Sequence, residues 1–196
     1  GYDHLIAGDG ESSGDFEKRV YRLRDDDGNA SAMDIGESSV FWDGVLPGYP
    51  GGVVDRPKDM TIGPDGAIYL ADNNTINFSG DTPEAIWRLE DLDASGSVSD
   101  GPSGEVVLHK ELCPPGDGFC FISEDYKWNS AGRLFFSNQT SSSNDTHVWI
   151  LDPDGSLVPF CSDTDLFGIG LTKVGMTLNP QTQNPVMAAF DIVENR

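Results

Sequence analysis

The sequence carries an internal repeat with a period of 66 residues. Segment 20–27 returns at 86–93, and segment 63–72 returns at 129–138 with the same offset. Because two different motifs share one offset, a tandem structural unit is predicted, and its period constrains the architecture. A third, looser copy, His-Val-Trp-Ile-Leu-Asp-Pro-Asp-Gly, lies at 147–155.

The sequence predicts an all-β fold. Short runs of aromatic and β-branched residues alternate with clusters of Gly, Pro, Asp and Asn, which is typical of strands joined by turns. No window carries a sustained apolar period of 3.6 residues, so almost no helix is expected. Pro-Asp-Gly triplets at 64–66 and 153–155 predict hairpin turns. The expected strands lie at 19–23, 38–42, 58–63, 67–71, 85–90, 105–109, 133–137, 147–151, 156–160, 173–178 and 186–190.

The order of segments within one repeat is that of a β-propeller blade, with four antiparallel strands and a loop insertion. We expect one all-β propeller segment over 1–196, with repeat units at approximately 1–57, 58–123 and 124–196. The chain is expected to begin near the second strand of one blade and to end on the equivalent strand of another. About three blades cannot close a ring, so further residues or a second chain would complete it. A β-sandwich is the alternative.

One aromatic residue marks the same position in each repeat. Tyr21, Trp87 and Trp149 each lie in the segment expected to form the third strand of a blade. Aromatic residues at such a period pack in cores or between blades far more often than they line a ligand site. All three are therefore expected to be buried.

Residues 56–72 resemble a known group of propellers. The segment reads Arg-Pro-Lys-Asp-Met-Thr-Ile-Gly-Pro-Asp-Gly-Ala-Ile-Tyr-Leu-Ala-Asp. It is similar to the inner strand pair of six-bladed propellers of the NHL, gluconolactonase-like and soluble sugar-dehydrogenase type. The resemblance covers the repeats and implies a propeller fold. It says less about function, because this fold supports many chemistries.

The same resemblance bears on catalysis. In gluconolactonase-like enzymes the comparable strand reads Arg-Pro-Asn-Asp, and its Asn helps to hold a catalytic divalent metal on the propeller axis. Secreted calcium-dependent phosphatases of the PhoX kind carry Arg-Pro-Glu-Asp there. This chain has Lys58 at that position, so a cation replaces a metal ligand, which counts against both activities. Asp59 is expected instead to cap a turn and to pair with Arg56.

Two acidic loops carry the alternating oxygen side chains of calcium-binding loops. In one, Asp91, Asp93 and Ser95 occupy relative positions 1, 3 and 5, Gly96 follows at 6, and Ser97 offers a carbonyl at 7. Alternate oxygens in such a loop converge on one hard cation, and the Gly permits a sharp turn.

The other loop repeats this spacing with Asp25, Asp27, Asn29 and Ser31, although Ala30 replaces the Gly. Neither loop has the bidentate Glu at position 12 that completes an EF-hand. Later acidic residues would have to complete the two sites: Asp34 and Glu37 in the first loop, Asp100 and Glu105 in the second. The sequence thus predicts two Ca²⁺ sites between outer strands of blades, with solvated acidic turns as the alternative.

Composition limits the partners and the compartment. The net charge of −21, from 33 acidic and 12 basic residues, excludes a general nucleic-acid or anionic-membrane surface. The same charge suits calcium-rich surroundings, since divalent cations relieve repulsion between carboxylates. No apolar run is long enough to span a bilayer. Cys113 and Cys120 flank a turn-rich loop and are expected to form a disulfide, with two unrelated buried thiols as the alternative, and Cys161 is expected to be buried. A disulfide would indicate an oxidising compartment, so a secreted, extracellular or periplasmic protein is predicted.

Three functional interpretations remain open. The first is a secreted calcium-binding propeller that serves as a binding or structural module. The second is a propeller hydrolase, lactonase-like or PhoX-like, or a sugar oxidoreductase, with part of its active site outside this chain. The third is a self-assembling extracellular protein. The partners considered are a small-molecule or carbohydrate ligand and further blades, or a second copy, that complete the ring.

The position of the metals would discriminate among these interpretations. An enzyme needs convergent carboxylates and an open metal position at the axial mouth, whereas a structural module has metals only at the periphery. The sequence assigns no catalytic residue. His4, His109 and His147 are too far apart for a compact zinc motif, and no Gly-x-Ser-x-Gly elbow or P-loop occurs.

Overall fold

A computed structural model describes residues 3–7, 19–29, 31, 34, 36–48, 54, 57–72, 84–99, 104–113, 122–139, 146–162 and 171–191. These residues form strands, turns and connecting segments without any helix, which confirms the all-β prediction. The strands are β1 (Asp3–Ala7), β2 (Val20–Arg24), β3 (Ser38–Trp42), β4 (Pro57–Ile62), β5 (Ile68–Asp72), β6 (Glu84–Leu89), β7 (Val106–Cys113), β8 (Ile122–Trp128), β9 (Leu134–Gln139), β10 (Thr146–Leu151), β11 (Leu157–Ser162), β12 (Leu171–Leu178) and β13 (Pro185–Asp191).

The strands form four antiparallel sheets in which each strand pairs with its neighbours in sequence. The first sheet is β1-β2-β3, the second is β4-β5-β6-β7, the third is β8-β9-β10-β11, and the fourth is β12-β13. The two complete sheets are four-stranded meanders, as blades are. Five-residue turns join β4 to β5 and β10 to β11, and each contains a Gly at positive φ, Gly66 at 85° and Gly155 at 82°.

Hydrophobic cores lie between successive sheets, and β5 shows how the sequence produces them. Ile68 and Leu70 pack into the core shared with the first sheet. Tyr69 and Ala71 pack into the core shared with the third sheet. Because alternate side chains of a strand point to opposite faces, the second sheet is covered on both sides. A two-sheet sandwich covers one face of each sheet, whereas the second sheet is covered on both faces, an arrangement consistent with successive blades.

The sequence repeat is also a repeat of strand pairing. Trp87 on β6 lies opposite Leu70 on β5, and Trp149 on β10 lies opposite Phe136 on β9. Tyr21 on β2 occupies the corresponding position in the first sheet. Trp87 is fully buried, whereas Tyr21 and Trp149 are only half-buried. The expectation of burial is therefore met in full by one of the three.

The sequence pattern does not predict β8. This strand reads Ile-Ser-Glu-Asp-Tyr-Lys-Trp, and it carries a bulge between Glu124 and Lys127 with Asp125 at a φ of 59°. The bulge interrupts the two-residue alternation on which a strand prediction depends. β8 nonetheless lies beside β4, and the Tyr126 N–H donates to Asp59 Oδ2 at 2.6 Å. A hydrogen bond between the first strands of adjacent sheets thus helps to hold an irregular strand in place.

The expected disulfide between Cys113 and Cys120 lies outside the described residues, because these do not include Cys120. Cys113 is the last residue of β7. Cys161 is half-buried and packs against the core between the third and fourth sheets, which contains Phe135 and Met176.

Candidate metal sites

Both acidic loops connect the last two strands of their sheets. The first acidic loop (residues 25–37) joins β2 to β3, and the second acidic loop (residues 91–105) joins β6 to β7. In the first, the Arg24 N–H donates to the Glu37 carbonyl at 2.8 Å; in the second, the Glu90 N–H donates to the Glu105 carbonyl at 2.9 Å. Each loop therefore begins and ends at one hydrogen-bonded pair, which brings its final Glu back to the aspartates at its start.

The loops bring together two sets of three carboxylates. The first triad is Asp25, Asp27 and Glu37; the second triad is Asp91, Asp93 and Glu105. Within each triad one oxygen from every carboxylate lies within 4.8 Å of the other two. Oxygens about 2.4 Å from a common Ca²⁺ can be at most about 5 Å apart, so either triad could hold a metal ion.

Side-chain acceptors shape the first acidic loop. Asp25 Oδ1 accepts from the Gly28 N–H at 2.7 Å, and Asp27 Oδ1 accepts from the Asn29 N–H at 3.0 Å. Asn29 Oδ1 in turn accepts from the Ser31 N–H at 2.7 Å, and its Nδ2 donates to Asp34 Oδ2 at 2.7 Å. Asp34 is thereby bonded to Asn29 rather than included in the triad.

Glu37 is the buried member of the first triad, with 6% of its surface exposed. Its Oε1 accepts from the Asp26 N–H at 2.9 Å. Its Oε2 is buried, and within the described part of the chain no hydrogen bond reaches it. Buried carboxylate oxygens are normally paired, so this oxygen needs an explanation.

The second acidic loop is held more completely by its own carboxylates. Asp91 Oδ1 accepts from the Ser95 N–H at 2.9 Å, and Asp91 Oδ2 accepts from the Gly96 N–H at 2.8 Å. Gly96 has a φ of 88°, which suits the residue without a side chain. Ser95 Oγ also donates to the Ser97 carbonyl at 3.0 Å, and the Ser95 N–H donates to Asp93 Oδ1 at 2.9 Å. The hydrogen bonds from Ser95 to Asp93 lower the pKa of Asp93.

Glu105 corresponds to Glu37, and it is 3% exposed. Both of its carboxylate oxygens are paired. Oε1 accepts from the Leu92 N–H at 3.1 Å, and Oε2 accepts from the Ser99 N–H at 3.1 Å. The second carboxylate oxygen thus accepts a hydrogen bond in Glu105, whereas within the described part of the chain the second oxygen of Glu37 accepts none.

The second acidic loop also contacts the neighbouring sheet. The Val98 N–H donates to the Phe41 carbonyl on β3 at 2.7 Å. The Val98 side chain, 4% exposed, packs in the core with Trp42 and Leu46. The loop therefore connects the second sheet to the first.

A cleft lies between these two sheets, next to the second triad. Its volume is about 630 Å³, and Asp91 and Arg22 line it together with apolar side chains that include Phe41 and Met60. Asp65 also borders the cleft, and burial alone would raise its pKa. Hydrogen bonds from Arg88, at 2.9 Å, and from Ala67 and Tyr69 outweigh that effect and lower the pKa.

Asp59 lies on β4, the first strand of the second sheet. Its Oδ1 accepts from the Met60 N–H at 2.7 Å, while its Oδ2 takes the bond from Tyr126. Both oxygens of this carboxylate therefore accept hydrogen bonds from backbone N–H groups, which gives Asp59 a structural role. The expected pairing with Arg56 lies outside the described residues.

The structure thus joins six of the twelve ligand candidates into triads. Asn29, Ser31, Ser95 and Ser97 take part in hydrogen bonds inside their own loops, and Asp100 lies outside the described residues. Glu37 and Glu105 lie beyond position 12 of their loops, so the spacing of a calcium-binding loop does not single them out as ligands. Their placement immediately before β3 and β7 was the available signal, since a residue there faces the end of the preceding strand.

No protein-family model matches the sequence, and no curated protein matches it either. Among the described residues, no helix has the length and apolar character that crossing a membrane requires.

Proposed function

We propose that this chain is a calcium-binding β-propeller segment of a secreted, extracellular or periplasmic protein, and that it serves as a binding or structural module. The observation that carries the proposal is the recurrence of a carboxylate triad at equivalent hairpins of two successive sheets. A solitary acidic turn is common on protein surfaces, but two turns with the same ligand types in one structural register require a common cause.

The chemistry of the triads favours Ca²⁺ over other cations. Every candidate ligand is an oxygen, which suits a hard cation and disfavours Zn²⁺, whose sites use Cys and His. Loops that combine carboxylates with a backbone carbonyl match the irregular coordination that Ca²⁺ accepts. Mg²⁺ demands closer octahedral geometry and usually retains several waters.

The position of the triads favours a module over an enzyme. Both triads lie on hairpins between the last two strands of a sheet, whereas β4 and β8 are first strands that lie side by side. An active site on the propeller axis would use those first strands, and there Asp59 is occupied by two backbone amides. The hydrolase and oxidoreductase interpretations stay alternatives without an observation that favours them.

The proposal is tested by calorimetric titration of the calcium-free protein with CaCl₂, compared with three variants. We expect two ions per chain for the original sequence and one for either double variant, Asp25→Asn with Asp27→Asn or Asp91→Asn with Asp93→Asn. Asp154→Asn is the matched control, because Asp154 is an exposed aspartate in the β10–β11 turn. It should still bind two ions. Failure of the original protein to bind calcium would refute the proposal.

A further inference from the structure

We infer that the two calcium sites are unequal: the first triad depends on its cation and fills first, whereas the second triad is held in shape by the protein alone and fills later. This inference rests on the proposed function and adds an order of occupancy to it. The difference comes from the two buried glutamates, which occupy equivalent places but have different hydrogen bonds.

In the first triad the buried carboxylate lacks one interaction. Glu37 Oε1 accepts from Asp26, but within the described chain no donor reaches Oε2. The neighbouring carboxylates of Asp25 and Asp27 add negative charge within 4.8 Å. A buried acceptor without a partner is unfavourable, and more so when it carries charge. A cation at the centre of the triad would supply the missing interaction and offset the repulsion.

In the second triad the backbone supplies these interactions. Glu105 accepts from Leu92 and Ser99, one donor for each oxygen. Asp91 likewise accepts from Ser95 and Gly96 with its two oxygens. Carboxylate oxygens have two lone pairs each, so these bonds still permit metal binding. A bound cation would, however, stabilise the second acidic loop less than the first.

The two triads should therefore differ in their affinity for Ca²⁺. Binding that relieves an unpaired buried acceptor gains the free energy that the acceptor had cost, and this gain strengthens binding. One such acceptor corresponds to a difference of about tenfold or more in dissociation constant. A titration with CaCl₂ should therefore show a tighter first step that depends on Glu37 and a weaker second step that depends on Glu105.

Two isosteric variants test the inference, Glu37→Gln and Glu105→Gln, each melted in EDTA and titrated with CaCl₂. In EDTA, Glu37→Gln should raise the melting temperature by about 2–4 °C. The new amide removes a buried charge and can donate to Asp25 or Asp27. Glu105→Gln should lower the melting temperature, because its amide would face a backbone N–H that now has a carboxylate acceptor. In the titration, Glu37→Gln should lose the tighter step and Glu105→Gln the weaker step.

The outcomes separate this inference from the proposed function. If both variants lower the melting temperature in EDTA, or if the tighter step disappears in Glu105→Gln, the inference is wrong while calcium binding stands. Two indistinguishable steps would also overturn it. If the original protein binds no calcium, the proposed function fails. The melting temperatures in EDTA then still decide whether Glu37 is the destabilised glutamate, and a lowered value for Glu37→Gln would reject that as well.

Discussion

Aromatic residues at equivalent repeat positions are buried to different degrees. Trp87 is fully buried between the first and second sheets, whereas Trp149 is half-buried against the second. Trp87→Ala should lower the free energy of unfolding by ~3–5 kcal/mol, as expected for a buried aromatic side chain. Trp149→Ala, the matched control, should lower it by clearly less. Chemical denaturation of both variants checks this, and equal losses would contradict the assignment of the core.

The second acidic loop acts as a structural element as well as a candidate metal site. It places Val98 in the core between two sheets, while Leu92 of the same loop is 55% exposed. Val98→Ala should lower the free energy of unfolding by about 1–3 kcal/mol, because two buried methyl groups are removed and a small cavity remains. Leu92→Ala should change it by less than about 0.5 kcal/mol. Urea denaturation measures both values, and a comparable loss in the two variants would show that the loop is not anchored through Val98.

The sequence predicted those strands whose apolar residues follow the pattern of a buried strand. β5 contains the run Ile-Tyr-Leu-Ala and β6 the run Ala-Ile-Trp, each close to turn residues, and both are strands in the structure. β8 could not be found in this way, because its polar residues lie at a bulge that a hydrogen bond from the neighbouring sheet supports. The aspartates of the triads follow from loop spacing. The glutamates of the triads can be predicted only when the start of the next strand is known, and loop spacing alone does not specify that start.

Among the described residues, the first and fourth sheets contain three and two strands, fewer than the four in each sheet between them. β1 lies at the edge of the first sheet, and β13 pairs only with β12 among the described strands. Edge strands with unpaired backbone groups tend to be covered. We therefore predict that further blades or a second copy pair with these edges. Light scattering of the isolated 196-residue chain should show a dimer if a second copy does so. A folded monomer with both edges exposed to rapid amide hydrogen exchange would contradict the propeller interpretation.

We propose that the two equivalent carboxylate triads each bind one Ca²⁺. A crystal structure determined in millimolar CaCl₂, with anomalous scattering used to locate calcium, tests it most directly. We expect one anomalous peak between Asp25, Asp27 and Glu37 and another between Asp91, Asp93 and Glu105, each with ligand oxygens at about 2.3–2.6 Å. Ordered carboxylates at both triads without anomalous density, at a calcium concentration that saturates ordinary extracellular sites, would contradict it.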